Sequence, residues 1–199
     1  MYLIGLIGGV ASGKSFVAAQ LSTLGAAVLD ADRAGHVVLR LTHVEEAIMH
    51  RWGGSVFGPD GHVHRPALAK IVFANSPRAS EDRRFLEHLT HPKITQLLMQ
   101  EKSELESRGV PAAVLDAPLL LEAGWDRLLD RLVFVEAPRS VRLARALARG
   151  WTEADFSARE DAQESLDRKR ARADVVVDNS GSREHTCAQI EHFWHTLFG

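Results

Sequence analysis

Five short, nearly all-apolar runs punctuate the chain: Tyr2–Ile7, Ala27–Asp30, Ala112–Asp116, Leu132–Val135 and Asp174–Val177. They are too short for helices and lack the polar alternation of a half-solvated strand. Each therefore predicts a strand buried on both faces. Between them apolar residues recur every three to four positions, which predicts helices over Val17–Leu24, Val44–Trp52, Arg83–Glu106, Val141–Arg149 and Arg183–Leu197. Strands alternating with helices predict an α/β sandwich of three layers around a five-stranded parallel sheet. The interval from about 33 to 110 is mostly helical in pattern and too long for one crossover helix, so it predicts a helical insertion.

Composition narrows the class. With 199 residues, the chain has the length of about one domain. A formal net charge of −2 gives no basic field for nucleic acid or an anionic membrane, and neither is expected as a partner. Cys187 is the single cysteine, which excludes an internal disulfide and fits a reducing compartment. The opening MYLIGLI has no basic flank and is too short for a signal core or a membrane span. The expectation is a soluble cytoplasmic protein.

The chemistry begins directly behind the first strand, in GLIGGVASGKSF. Gly8 to Ser15 fit G-x-x-x-x-G-K-[ST], between a strand and a helix-forming stretch. Glycines let successive amides curl into an anion nest at a helix N-terminus. Lys14 can reach the β- and γ-phosphates of a nucleotide, and the Ser15 hydroxyl can sit on Mg²⁺. The pattern alone admits a kinase, a GTPase switch, a motor ATPase or an inert nucleotide-binding module. The chain lacks the N-K-x-D of guanine recognition and is short for a motor. A kinase further needs a base, a cationic lid and an acceptor pocket.

Asp30 and Asp32 fall at the carboxyl end of the second strand, where open α/β sheets bind ligands. Asp32, lying further out, is the candidate base, and it also fits an N-cap for a helix starting at Arg33. Asp116 ends the third strand at the position that supports Mg²⁺. Leu119 to Leu121 then read equally as core or as pocket wall. At 100° per residue Arg142, Arg145 and Arg149 share one narrow arc, opposite Leu143, Ala144, Leu147 and Ala148. Such an arc faces water or an anion, and behind a phosphate loop the anion is favoured. Arg159 and Gln163 are expected on the following helix, facing the same site, with Thr152 as its N-cap. Two helices so hinged predict a lid. His91-Pro92 reads as an N-cap followed by proline at the first helical position.

In order, GLIGGVASGKS, LGAAVLDADRAGHVV, THPKI, VLDAPLLLEAG, RALARGWT…AREDAQ and KRARADVVVDNSGS resemble the dephospho-coenzyme A kinases over nearly the whole chain. The resemblance implies a P-loop kinase with a core of about 1–32, 111–137 and 173–199, a helical acceptor region of about 33–110 and a lid of about 138–172. It implies that ATP, with Mg²⁺, phosphorylates the ribose 3′-hydroxyl of dephospho-CoA, in a monomer or weak homo-oligomer. Gly8, Gly9, Val10, Ala11, Ser12, Gly13, Lys14, Ser15 and Phe16 would line the ATP phosphates, with Arg142, Arg145, Asn179 and Gly181 completing the nucleotide site. Asp32 would be the base, assisted by Lys14, Arg145 and Arg149. His36, His91, Pro118, Leu119, Leu120, Glu122 and Arg159 would border the acceptor, and Ser15 and Asp116 would hold the metal. Ala11 and Phe16 stand where Gly and Thr are usual, and His36 where Arg is common. The link Arg149 to Thr152 looks one residue short, and Glu160 replaces an apolar residue.

Overall fold

The computed structural model describes residues 1–74, 76–117, 120–121 and 123–199, with the side chain of Pro77 excepted. In chain order the strands are β1 (Tyr2–Gly8), β2 (Ala27–Asp30), β3 (Ala112–Asp116), β4 (Arg131–Glu136) and β5 (Val175–Asp178). The helices are α1 (Lys14–Thr23), α2 (Ala31–Val38), α3 (Thr42–Trp52), α4 (Arg65–Val72), α5 (Pro77–Ser107), α6 (Arg139–Leu147), α7 (Glu153–Asp161), α8 (Leu166–Arg172) and α9 (Arg183–Phe198). Contacts divide the chain into two units, Asp30–Glu101 and the remainder.

The larger unit is built on a five-stranded sheet of order β2-β3-β1-β4-β5. β1 lies parallel between β3 and β4, and β4 parallel to β5. Its strands carry apolar residues on both faces because both are covered. Ile4, Leu6, Val114, Val133, Val135 and Val177 pack against Val17 and Leu21 of α1 and Ile190 and Phe193 of α9. On the other face a Cβ at Gly5 would run into Leu129, with Leu120 at 3.0 Å and Leu132 at 3.2 Å, so only glycine lets those leucines close over the sheet. α8 packs on β1 and β4.

Two strands start on the same device. The Asp130 carboxylate accepts the Leu3 N–H at 2.7 Å, and the Asp174 carboxylate accepts that of Leu132 at 2.7 Å. Asp174 thus serves the neighbouring strand with its side chain, and β5 begins one residue later than its apolar run predicts. α6 differs more. Its arginine arc is the inward one: Arg142 is 3% exposed and Ala146 0%, whereas Leu147 is 49% exposed. The helix ends before Arg149. Trp151 N–H donates to Ala146 O at 3.2 Å and Gly150 N–H to Leu147 O at 2.9 Å. Gly150 is left-handed at φ 81°, so the link that looks short is a tight helix-ending turn. Thr152 then caps α7 as expected, in a capping box with Asp155. α7 stops at Asp161, so Gln163 does not share a helix with Arg159.

The smaller unit is helical, with Val44, Ile48, Val56, Leu68, Val72 and Leu98 buried. Its buried Asp82 pairs with Arg51 at 2.7 Å, and that guanidinium lies 4.5 Å over the Phe85 ring. α5 runs unbroken through Pro92, against the expectation of a helix start there. Next to the proline, His88 Nδ1 bonds to Arg84 O at 2.7 Å and Thr90 Oγ1 donates to Leu86 O at 2.8 Å. Pro92 has no N–H for the carbonyl one turn back, that of His88, so α5 carries the proline with one ladder bond fewer. Among the described residues, no helix is long and apolar enough to cross a membrane.

Candidate active site

Residues between β1 and α1 adopt the backbone that the glycine pattern anticipates. Gly8 sits at φ 154° and Gly13 at φ 101°, and Ala11 is the one non-glycine residue with positive φ, at 58°, among the described residues. A Cβ at Gly8 would lie 2.5 Å from Val135 O, and one at Gly9 2.8 Å from Arg142 Nη1. At Gly13 a Cβ would strike the Asn179 amide. Three neighbouring elements thus press on the loop where it has no side chains. The N–H groups of Ala11, Gly13, Lys14 and Ser15 find no acceptor among the described residues, at the positive end of α1. Val10 is buried with Ala146 and Phe156 and tethers the loop to α6 and α7.

The Ser12 carbonyl is held from the far end of the chain. It accepts Asn179 Nδ2 at 2.7 Å and Arg145 Nη1 at 3.0 Å, and Arg145 Nη2 also donates to Asn179 O at 2.7 Å. Thr186 Oγ1 donates to Asn179 Oδ1 at 3.2 Å and fixes the amide's orientation. Arg142, expected to meet nucleotide, is committed to protein. Its Nε donates to Ala137 O at 3.0 Å, and its Nη1 donates to Val10 O at 3.3 Å and pairs with Glu160 at 2.6 Å. Glu160 also takes Arg139 Nε at 3.0 Å, so the polar residue that breaks the expected pattern neutralises a buried guanidinium.

Lys14 donates weakly to Gly8 O at 3.4 Å and Gly9 O at 3.3 Å. Burial, then the charge of Lys169, Arg142 and Arg149, lowers its pKa to about 8, with Asp116 pulling the other way. Asp116, half-buried at the end of β3, is therefore within electrostatic range of Lys14. Ser15 is exposed on the first turn of α1, and Phe16 lies 5.7 Å under the Arg183 guanidinium. Arg149 is exposed beyond α6, and Gly181 is open to solvent. Arg159 is not drawn to the loop; it stacks 4.2 Å over Trp151. Leu120, 1% exposed, lines a cavity with Gly8, Lys14, Ala117, Leu121 and Lys169. Sequence reasoning missed Lys169. Its i, i+3 spacing from Leu166 was the one available signal, within a helix where LDRKRAR reads as solvated.

Of the residues expected on the acceptor side, Asp32, His36 and His91 belong to the smaller unit. Asp30, not Asp32, caps α2, accepting Arg33 N–H at 2.8 Å. Asp32 is exposed in the first turn of α2, clear of that duty and without an ion pair among the described residues. His36 is exposed one turn later. His91 is half-buried within α5, and burial depresses its pKa. Pro118, Leu119 and Glu122 lie outside the described residues.

A family model described as dephospho-CoA kinase matches residues 2–185. The chain is 43% identical over 201 residues to the dephospho-CoA kinase of Symbiobacterium thermophilum, covering 100% of this chain and 82% of that protein. The crystal structure of TT1252 from Thermus thermophilus superposes with a TM-score of 0.84 at 36% identity, covering 100% of this chain and 98% of that one. A dephospho-CoA kinase from Campylobacter jejuni, 23% identical, shares the fold with a TM-score of 0.71 over 98% of this chain and 96% of its own.

Proposed function

Since this chain belongs to the dephospho-CoA kinase family, we propose that its loop from Gly8 to Ser15 presents the γ-phosphate of ATP to the ribose 3′-hydroxyl of dephospho-CoA. The hydroxyl oxygen attacks the γ-phosphorus, the bond to the bridging oxygen breaks, and the products are coenzyme A and ADP. One observation carries this reading: four amides leading into α1 have no acceptor among the described residues, and the ammonium of Lys14, in the same loop, makes two long bonds to Gly8 O and Gly9 O. Such a nest favours a polyanion.

Lys14 neutralises charge on the β- and γ-oxygens. Arg145 keeps the nest open by holding the Ser12 carbonyl aside, and Arg149 adds an exposed cation from beyond the end of α6. Arg142 acts as a brace under Gly9. Asn179 anchors the loop while the open backbone at Gly181 takes the nucleoside end. Asp32 accepts the proton of the 3′-hydroxyl, its exposed carboxylate being free of the capping bond that Asp30 makes. His36, His91 and Leu120, with Pro118, Leu119 and Glu122, are assigned to the acceptor. Arg159 serves it only after leaving Trp151.

The donors present fit Mg²⁺. The Ser15 hydroxyl and the Asp116 carboxylate are hard oxygen ligands, and no cluster of three or more metal-binding side chains occurs among the described residues. That suits an ion carried mainly by phosphate and water. When bound, Mg²⁺ supplies charge neutralisation on the phosphates.

ADP release is the test. With ATP and Mg²⁺ it should depend on dephospho-CoA and not on AMP, CMP or gluconate. ADP formed equally with AMP would overturn the acceptor assignment.

A further inference from the structure

Thr186, in α9, is fully buried, and the phosphate chemistry above assigns it no part. Its hydroxyl has three acceptors in range: Asp178 O at 3.1 Å, Asn179 Oδ1 at 3.2 Å and Ser182 O at 3.3 Å. A hydroxyl carries one proton, so the three compete for it. Two of them have another donor. Gln189 Nε2 donates to Asp178 O at 2.9 Å, and the Thr186 N–H donates to Ser182 O at 3.3 Å. Asn179 Oδ1 has none among the described residues. Nor can the Asn179 amide turn round, because the Ser12 carbonyl 2.7 Å away only accepts and must face Nδ2. The Thr186 proton therefore belongs to Asn179 Oδ1.

The effect reaches the phosphate loop through one peptide. No peptide bond among the described residues is cis, so the Ser12 C=O and the Gly13 N–H point in opposite directions. Holding that carbonyl on Asn179 and Arg145 aims the Gly13 N–H the other way, where it meets no acceptor among the described residues. A reversed Asn179 amide would set oxygen against oxygen at the Ser12 carbonyl. The peptide would relieve that contact by rotating, and its N–H would leave its place.

We propose that Thr186 is a positioning residue of the nucleotide site, which through the Asn179 amide aims the Gly13 N–H at a phosphate oxygen of ATP. The proposal rests on the kinase reading above and adds to it a buried residue of α9.

The experiment uses the full chain with T186V, which replaces the hydroxyl by a methyl, and T186S, which keeps it. ADP release gives kcat and KM for both substrates, and thermal unfolding checks the folded state. The Gly13 amide resonance is followed as ATP and Mg²⁺ are added without dephospho-CoA. T186V should lose about 10–100-fold in kcat/KM for ATP, the worth of one hydrogen bond to a charged group. Its KM for dephospho-CoA should stay within about threefold of the parent, and so should the ATP use of T186S. The Gly13 amide proton should move downfield with ATP in the parent and in T186S, and stay in T186V. A folded T186V that uses ATP within about threefold of the parent overturns the proposal, as does an equal loss toward both substrates. A T186S no better than T186V, or a Gly13 amide that answers ATP alike in T186V and the parent, overturns it too. Should T186V not fold, T186C takes its place. A thiol donates weakly, so a loss of at least about threefold toward ATP alone is expected, and no loss refutes the role. A parent without dephospho-CoA-dependent ADP release faults the kinase reading, whereas the Gly13 resonance still decides the role of Thr186.

Discussion

Replacing Lys14 by Met should stabilise the ligand-free protein while abolishing its use of ATP. Lowering the pKa from 10.5 to about 8 means that the folded state holds the ammonium about 3 kcal/mol less favourably than water does. Its two bonds, at 3.4 and 3.3 Å to Gly8 O and Gly9 O, return about 1 kcal/mol together at most. K14M should therefore gain about 2 kcal/mol at pH 7, or about 4–8 °C in Tm for a chain of this length. The gap has a required pH dependence. Between pH 8 and 10.5 the unfolded parent binds more protons at this site than the folded parent, so parent stability climbs with pH. The K14M advantage should be complete below pH 8 and shrink by about 1.4 kcal/mol per unit above it. Urea denaturation of both proteins from pH 7 to 9.5, with an ATP titration of Tm beside it, measures each part. A K14M protein less stable than the parent at pH 7, or a gap constant across that range, refutes the reasoning.

Other substitutions probe the remaining parts. D32N should keep both substrates' binding and lose about 10²–10⁴ in turnover, read by single-turnover ADP formation. E160A leaves the buried Arg142 without its carboxylate and should cost about 3 kcal/mol in urea denaturation, with nucleotide affinity falling as the brace under Gly9 loosens. A11G relieves a left-handed alanine at φ 58° and should gain about 0.5–1 kcal/mol after the added chain entropy, read as a small rise in Tm. G13A must both adopt φ 101° and displace Asn179, and it should lose measurable ATP binding by calorimetry.

What could be read from the chain follows how local each determinant is. The loop, the strands and the α7 cap are local patterns, and they stand within a residue or two of their expected places. The arginine arc was legible as an arc, but not its direction. Arg142 turns inward because Glu160, Val10 O and Ala137 O meet it there, and none of these is its neighbour in sequence. Pro92 misled because local preference puts proline at helix starts, whereas α5 carries it in its interior as one continuous helix. Lys169 was hidden by composition: four basic residues among the seven of α8 look like a solvated surface, and only the packing of α8 on the sheet buries one of them.

The tie from Asn179 to the Ser12 carbonyl spans 167 positions. During synthesis the loop is therefore made well before its anchor. A nascent chain halted anywhere before β5 would carry the whole phosphate motif and lack the clamp that shapes it. Competence for nucleotide is thus acquired only once Asn179 has been made, so that a chain truncated before it would not sequester ATP.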